Sequence, residues 1–276
     1  MLEQIHPILP EKRIIVFLNL KGGVAKTTSA ANIGARMADL GYRVMLIDLD
    51  AQANLSSVFL RKPANWYIHK AFLSPKEMPR PTLVRENLYL MPASLEMLYV
   101  EKRIISEMER EKILTKFLSK LVALNRFDAF IIDCPPYLGE VTKNALVAAQ
   151  VVIVPITAEA FPLQGFRILE EEIDAVRQGP NPNAHIDKIL INRYNKMAGI
   201  NKDVAAYMEK NYADKLFKTK VRTNLKISEA QAHHQSIFEH DPKSNGAIDY
   251  AAVTDELLEF LTGVKNENET PEENNQ

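Results

Sequence analysis

Short apolar runs punctuate the chain: IIVFL at Ile14–Leu18, VMLI at Val44–Ile47, LYLM at Leu88–Met91, AFII at Ala129–Ile132, VVIV at Val151–Val154 and KILI at Lys188–Ile191. The first is continuous and rich in β-branched residues, which predicts a strand buried on both faces, as in a parallel sheet. The others repeat that pattern. Between most of them apolar residues recur at helical spacing. Ala30, Ile33, Gly34 and Met37 share one helix face, and Gly41 follows as a cap. Phe166, Leu169, Ile173 and Val176 form a second stripe, closed by Gly179 and Pro180. Strands alternating with helices predict an α/β fold, a mostly parallel twisted sheet with helices on both faces and right-handed crossovers.

The rest of the chain is less regular. Residues 1–12 read as a leader, since Pro7 and Pro10 oppose regular structure. Residues 60–87 are polar and broken by prolines, and predict an irregular excursion with one short helix around Trp66–Leu73. Residues 94–125 interleave charge with Leu, Ile and Met and predict a helical pair. The end, 263–276, has almost no apolar content and is expected to be disordered. One domain over 13–262 is the simplest division.

Of the 276 residues, 46% are hydrophobic and 25% charged, enough apolar material for a sizeable core. The formal net charge of −1 supplies no global field toward a polyanion, so any such binding needs a local patch. The single cysteine, Cys134, excludes a disulfide framework, an all-cysteine zinc site and an iron–sulfur cluster held within one chain. No apolar run reaches the length of about 18 residues that a transmembrane helix needs. The first residues lack the basic and apolar regions of a secretory signal, so a cytoplasmic location is expected.

The first strand leads into NLKGGVAKTTSAANIG and then a helix. A strand, a glycine turn, and Lys-Thr at a helix start make the phosphate-binding loop arrangement. Gly22 and Gly23 let the backbone approach a polyphosphate, and the helix N-terminus adds partial positive charge. Lys26 would bridge β- and γ-phosphate oxygens, and Thr27 would ligate Mg2+. The loop residues Lys21, Gly22, Gly23, Val24, Ala25, Lys26, Thr27 and Thr28 are thus candidates for binding ATP. Leu20 and Ala25 stand where the general pattern has glycines, and Lys21 precedes the glycine pair. At the edge of a helix Ala25 is expected to carry no backbone penalty.

Metal-assisted phosphoryl transfer needs carboxylates at strand ends facing that loop. Asp48 ends one apolar run, with Asp50 two residues on, and Asp133 ends another. A carboxylate after buried residues needs a partner, which a cation supplies. The alternative for each is a turn or helix-cap carboxylate.

These segments carry a resemblance. KGGVAKTT resembles the deviant Walker A motif, KGGVGKTT, of the ParA/MinD class of ATPases. DLDAQAN is similar to that class's DxDPQxN stretch, with Ala51 in place of Pro, and IIDCPPYLG resembles its IIDCPPSLG segment, with Tyr137 in place of Ser. ILINRYN and the stretch from TKVRTNLKISEA through DPKSNGAIDY resemble its C-terminal half. The likeness spans about 13–262. It implies that Lys21 reaches across a dimer interface to the partner's nucleotide, that Asp50 positions the attacking water, that Asp133 holds Mg2+ through water, and that Asn192 contacts adenine. Cys134 reads as a small buried residue.

Within the class, a nitrogenase-type iron protein needs a second cysteine, and an arsenite-pump ATPase usually carries cysteine ligands. MinD proteins end in a basic membrane helix, whereas the end here is acidic and Asn-rich. The resemblance therefore implies a ParA-like partitioning switch: cytoplasmic and nucleoid-associated, dimeric with ATP, bound nonspecifically to DNA, stimulated by a ParB-like centromere-binding partner, with no membrane attachment. For DNA, residues 213–228 set Lys215, Lys218, Lys220, Arg222 and Lys226 against Asp214 alone, and Lys243 lies further on. A solvated charged face is the alternative reading of that cluster. No helix-turn-helix is expected before the first strand. His233 and His234 lack a third ligand and predict a surface or helix-end role. A ParA-like positioner of protein cargo and a metabolic P-loop kinase or ligase remain the competing functions.

Overall fold

The computed structural model describes residues 13–158 and 163–264. The strands are β1 (Ile14–Phe17), β2 (Val44–Asp48), β3 (Thr82–Arg85), β4 (Leu88–Met91), β5 (Ala129–Asp133), β6 (Val151–Thr157) and β7 (Lys188–Asn192). They form one sheet in the order β3-β4-β2-β5-β1-β6-β7, parallel except for the β3–β4 pair. The helices are α1 (Lys26–Asp39), α2 (Asn54–Phe59), α3 (His69–Leu73), α4 (Met97–Ile104), α5 (Ile113–Ala123), α6 (Glu140–Ala148), α7 (Leu163–Arg177), α8 (Gly199–Tyr212), α9 (Leu225–Ala232), α10 (Ile237–His240) and α11 (Asn245–Thr262).

Alternation along the strands feeds two cores. In β1, Ile14 and Val16 face the layer built from α3 to α8, while Ile15 and Phe17 face that of α1, α2 and α9 to α11. This is the two-faced burial that the continuous apolar runs predict. Gly41, at φ 92°, follows the end of α1, and Tyr42 N donates back to Met37 O at 3.1 Å, as the sequence implies. The expected helical pair is α4 and α5, joined through a 3-10 turn at Arg110–Lys112. Trp66 is buried and stacks on Phe117 of α5, with ring centroids 5.9 Å apart.

Two features differ from expectation. Residues 60–87 are not wholly irregular, because β3 adds an antiparallel edge to β4. Asn87, at φ 57°, turns the chain between them. Arg85 fastens this edge by pairing with Glu239 and donating to His234 O. The other is Pro155, inside β6. Ile153 O accepts from Leu18 N, so Pro155, two residues on, faces the same side beyond the end of β1. Its missing N–H costs no ladder bond there, and the Asn19 side chain takes its carbonyl at 2.7 Å. The expectations for the leader at 1–12 and for the tail past Val264 fall outside the described residues.

The register brings the chemistry together. Asp48 is the partner of Asp133 on adjacent strands, and Phe17 is also opposite Asp133. The carboxyl ends of β1, β2 and β5 therefore meet at the start of α1, where ligands bind in open α/β sheets.

Gly34 is the close approach that lets α1 lie on the sheet. A Cβ there would stand 2.6 Å from Leu46 Cδ2 and 3.5 Å from Ile131 Cδ1. Gly34→Val should lower stability by about 1–3 kcal/mol through overpacking, read as a lower urea midpoint at unchanged slope.

Candidate nucleotide site

The loop between β1 and α1 is pinned at its start. Asn19 Oδ1 accepts from Lys21 N at 2.9 Å, while Asn19 Nδ2 holds Pro155 O. Gly22 and Gly23 are exposed, and Gly23 has φ 75°. The N-terminus of α1 has no side-chain cap and no acidic residue in its first turn. Its first N–H groups thus lack a side-chain acceptor, and a 14-residue helix directs its positive end at the loop. A bound anion would satisfy both.

Ala25 corrects an expectation. It precedes α1 at φ 67°, ψ 28°, in the left-handed region. A Cβ there approaches the neighbouring carbonyl oxygen, so this position does carry a backbone penalty.

Lys26 is buried, and its Nζ donates to Lys21 O at 3.2 Å. Burial pulls its pKa down, against the attraction of Asp133 and Asp50. Asp133 is fully buried, and its Oδ2 accepts from Thr27 Oγ1 at 2.6 Å. Its Oδ1 is buried without a hydrogen-bond partner. Burial, reinforced by the neighbouring Asp48, holds the Asp133 carboxyl well above its ordinary range. An orphaned carboxylate oxygen beside a threonine hydroxyl fits a divalent cation, which Asp133 and Thr27 would hold together with a bound phosphate. Among the described residues no cluster of three or more His, Cys, Asp or Glu could hold a metal by itself.

Asp48 and Asp50 differ sharply. Asp48 is fully buried and saturated, accepting from Ser56 N at 2.8 Å, Ser56 Oγ at 2.7 Å and Asp50 N at 3.1 Å. Burial pushes it up to about 6. It anchors the turn into α2. Asp50 is half-buried, uses Oδ1 to accept from Gln52 N at 2.9 Å, and lines the cavity in front of the loop. Burial pushes the Cys134 thiol up, which denies it a thiolate role.

Two adjoining cavities complete the site. One, of about 360 Å3, is lined by Gly22, Gly23, Lys26, Thr27 and Asp50. The other, of about 280 Å3, is lined by Asn192, Arg222, Asn224 and Tyr250. Ala25, Thr28, Arg193 and Gln231 border both. A loop-lined cavity continuing into a second recess has room for an elongated ligand. Asn192 is buried beside the second cavity, where Tyr250 Oη donates to its Oδ1 at 3.3 Å. Gln231 donates to Thr28 Oγ1 at 2.9 Å. Sequence reasoning missed Arg193, Gln231, Gln52 and Pro136 as lining residues. Arg193 adjoined a residue already singled out, but Gln231 has no local signal because it arrives from 203 residues away.

The basic cluster is rearranged by folding. Arg222 is forked onto the buried Asp249, with Nη2 to Oδ1 at 2.6 Å. Lys220 pairs with Glu209 at 2.9 Å and Lys226 with Glu229 at 2.8 Å. The count against Asp214 alone therefore overstated the local positive charge, because carboxylates from α8, α9 and α11 come in beside it. Arg222, its side chain 46% exposed, also lines the second cavity beside Asn192. Lys218 and Lys243 are exposed, and Lys215 is half-buried. His233 stacks on His240, with centroids 5.3 Å apart, and His234 bonds Ser57 O, which is the helix-end role expected of that pair.

A parallel sheet with a glycine loop, an uncapped helix start and acidic strand ends defines a P-loop nucleotide-binding protein. A family model described as an AAA domain matches residues 12–186. The chain is 33% identical over 247 residues to the chromosome-partitioning ATPase Soj of Treponema pallidum, covering 89% of this chain and 97% of that one. It is 35% identical over 251 residues to the chromosome partitioning protein ParA of Myxococcus xanthus, covering 89% and 88%. A solved structure of cobyrinic acid a,c-diamide synthase from Mycobacterium smegmatis with bound ADP and magnesium matches with a TM-score of 0.79 at 31% identity, covering 94% of this chain and 100% of that one. The chain belongs to the ParA/Soj family of P-loop ATPases.

Relieving the strain at Ala25 should stabilise the fold. Ala25→Gly is expected to gain about 1 kcal/mol, the left-handed penalty less the entropy of a freer unfolded chain, seen as a higher urea midpoint. Asp133→Asn should remove a buried, poorly solvated charge. In EDTA at pH 8 it should be more stable than the parent by roughly 1–3 kcal/mol, whereas Mg2+ added together with ADP should raise the melting temperature of the parent more than that of the variant. A variant less stable than the parent in EDTA would contradict this account of Asp133.

Proposed function

We propose that the protein is a partitioning ATPase that binds ATP with Mg2+, dimerises around two nucleotides, holds DNA without sequence preference and releases it on partner-stimulated hydrolysis. The observation that carries this reading is the convergence of the glycine loop, Lys26, Thr27 and Asp50 on one cavity that continues into a base-sized recess. The Soj and ParA relatives support the partitioning role.

Each residue has a defined task in this reading. The N–H groups of the loop and of the first turn of α1 bind the phosphate oxygens, with Lys26 bridging the outer two phosphates. Thr27 and Asp133 would hold Mg2+, which would supply charge neutralisation at those phosphates. Asp50 has Oδ2 left over from its turn bond and orients the attacking water. Lys21 is fixed at both main-chain ends, through Asn19 and Lys26, so its side chain leaves the loop from a defined point toward a partner subunit. Lys215, Lys218, Lys220, Lys226 and Lys243 supply the DNA contacts. The exposed pairs made by Lys220 and Lys226 are weak enough, at about 0–1 kcal/mol, to yield to DNA phosphates. In the cell such a protein is cytoplasmic and nucleoid-associated. No helix of the described residues is long and apolar enough to cross a membrane.

A second reading, an ATP-dependent amide ligase, is favoured by the likeness to the cobyrinic acid a,c-diamide synthase structure. One set of measurements separates the two: ATP turnover, and retention on unrelated DNA duplexes with ATP or ADP, for the parent, Asp50→Ala and Lys218→Ala with Lys220→Ala. Asp50→Ala should lose at least tenfold in turnover while keeping ATP-dependent DNA binding. The double lysine variant should keep basal turnover and lose DNA binding, and parental binding should fall steeply from about 50 to 200 mM salt. A parent that binds no DNA with either nucleotide would overturn the partitioning reading. Turnover that requires ammonia and a carboxylic acid acceptor would establish the ligase.

A further inference from the structure

The base end of the cavity has a wall that does not belong to the sheet. Residues 218–225 run beside the end of β7, where Val221 N donates to Ile191 O at 2.9 Å, Tyr194 N to Val221 O at 2.9 Å and Thr223 N to Tyr194 O at 3.2 Å. From the other side α11 grips the same segment. Glu256 accepts from Lys218 N at 2.7 Å and Thr219 N at 2.8 Å. Asp249, 5% exposed, accepts from Arg222 N at 2.9 Å, from Nε at 3.0 Å and from Nη2 at 2.6 Å. Both the main chain and the guanidinium of Arg222 are thereby fixed by one carboxylate. Arg222 Nη1 has no partner among the described residues, and Arg222 lines the cavity beside Asn192 and Asn224. The next residue of α11, Tyr250, bonds Asn192 and lies 3.3 Å from Ser29 of α1.

We propose that Arg222, held in place by Asp249, is a residue of the base pocket that sets affinity for the nucleobase and is not part of the nucleic-acid surface. The ligand chemistry follows from what is left over. With Nε and Nη2 committed to Asp249, Arg222 still offers the two N–H groups of Nη1 at the recess, and a purine presents ring-nitrogen acceptors along its edges. Asp249 cancels the charge, so the donor stands there without the cost of an unpaired cation near the base. For a DNA phosphate the same pairing is a handicap, since Asp249 already offsets the charge that a phosphate would seek. This inference rests on the nucleotide reading of the cavity.

Calorimetric titration of the full chain without Mg2+ tests it, using ADP and inorganic tripolyphosphate as separate probes. Tripolyphosphate reports the loop alone, whereas ADP reports loop and base end together. Arg222→Ala should weaken ADP about tenfold, the equivalent of about 1.4 kcal/mol, and leave tripolyphosphate unchanged. Asp249→Asn keeps the guanidinium but loosens it, and should give an intermediate loss confined to ADP. Arg222→Lys should recover only part of the loss, because an ammonium cannot serve Asp249 and the base in the same fixed fork. Should Arg222→Ala fail to fold by circular dichroism, Arg222→Gln makes the same comparison. Equal losses for both probes, or no loss for either, would overturn the proposal. A parent that binds neither probe would instead overturn the nucleotide reading beneath it.

Discussion

Two carboxylates lie side by side at the ends of neighbouring strands, both fully buried, and the site is built around keeping them there. Asp48 and Asp133 are register partners in β2 and β5, so their mutual repulsion is fixed by the sheet itself. Their environments separate their roles. Asp48 spends its oxygens on Ser56 and on the Asp50 main chain, and so turns a buried charge into a clamp on the loop that carries Asp50. Asp133 has only Thr27 on one oxygen, with Lys26 as the nearest source of positive charge. A site that leaves one buried oxygen unsatisfied is unstable alone and gains most from a cation. The same constraint that weakens the empty fold thus favours the loaded one.

The second organising element is α11. Its Asp249 fixes the wall of the base recess, its Tyr250 touches both Asn192 of β7 and Ser29 of α1, and its apolar face packs against α1. One rigid helix therefore connects the base end of the cavity to the helix that carries the phosphate loop. Gln231 makes a second link, from α9 to Thr28. A continuous chain of contacts therefore runs from Asn192 through Tyr250 to the helix behind the loop.

Most of the sheet was legible in the sequence because strands buried on both faces carry continuous apolar runs, and β1, β2, β4, β5, β6 and β7 each contain one, with the polar residues of β2, β5 and β6 at their carboxyl ends. The edge strand β3 was not. TLVR is short, half-exposed and flanked by Pro81 and Asn87, so it shows neither a continuous run nor a clear alternation. The loop, Lys26, Thr27 and Asp133 were legible because strand, turn and helix fix their relative positions within a few residues. Asp50 could be separated from Asp48 only by resemblance, since spacing alone leaves both at a strand end. Gln231 and Asp249 reach the site through tertiary contacts, which local pattern does not encode.

The failed charge count shows where linear reading stops. Arg222 reads as one more cation in a basic run because Asp249 lies 27 residues away. In the fold the two are paired through a forked contact, so the half-exposed guanidinium carries a partner that the linear count omits. Ala25 fails the same way. The residue type looked harmless at a helix edge, but the turn that aims the loop N–H groups at a phosphate holds that residue at φ 67°. In both cases the binding geometry, and not the local propensity, decided what the residue does, and in both cases the residue borders the cavity. Departures from local rules cluster where a ligand is to be held, so here they are themselves evidence that the recess from Gly22 to Asn192 is the functional centre of the molecule.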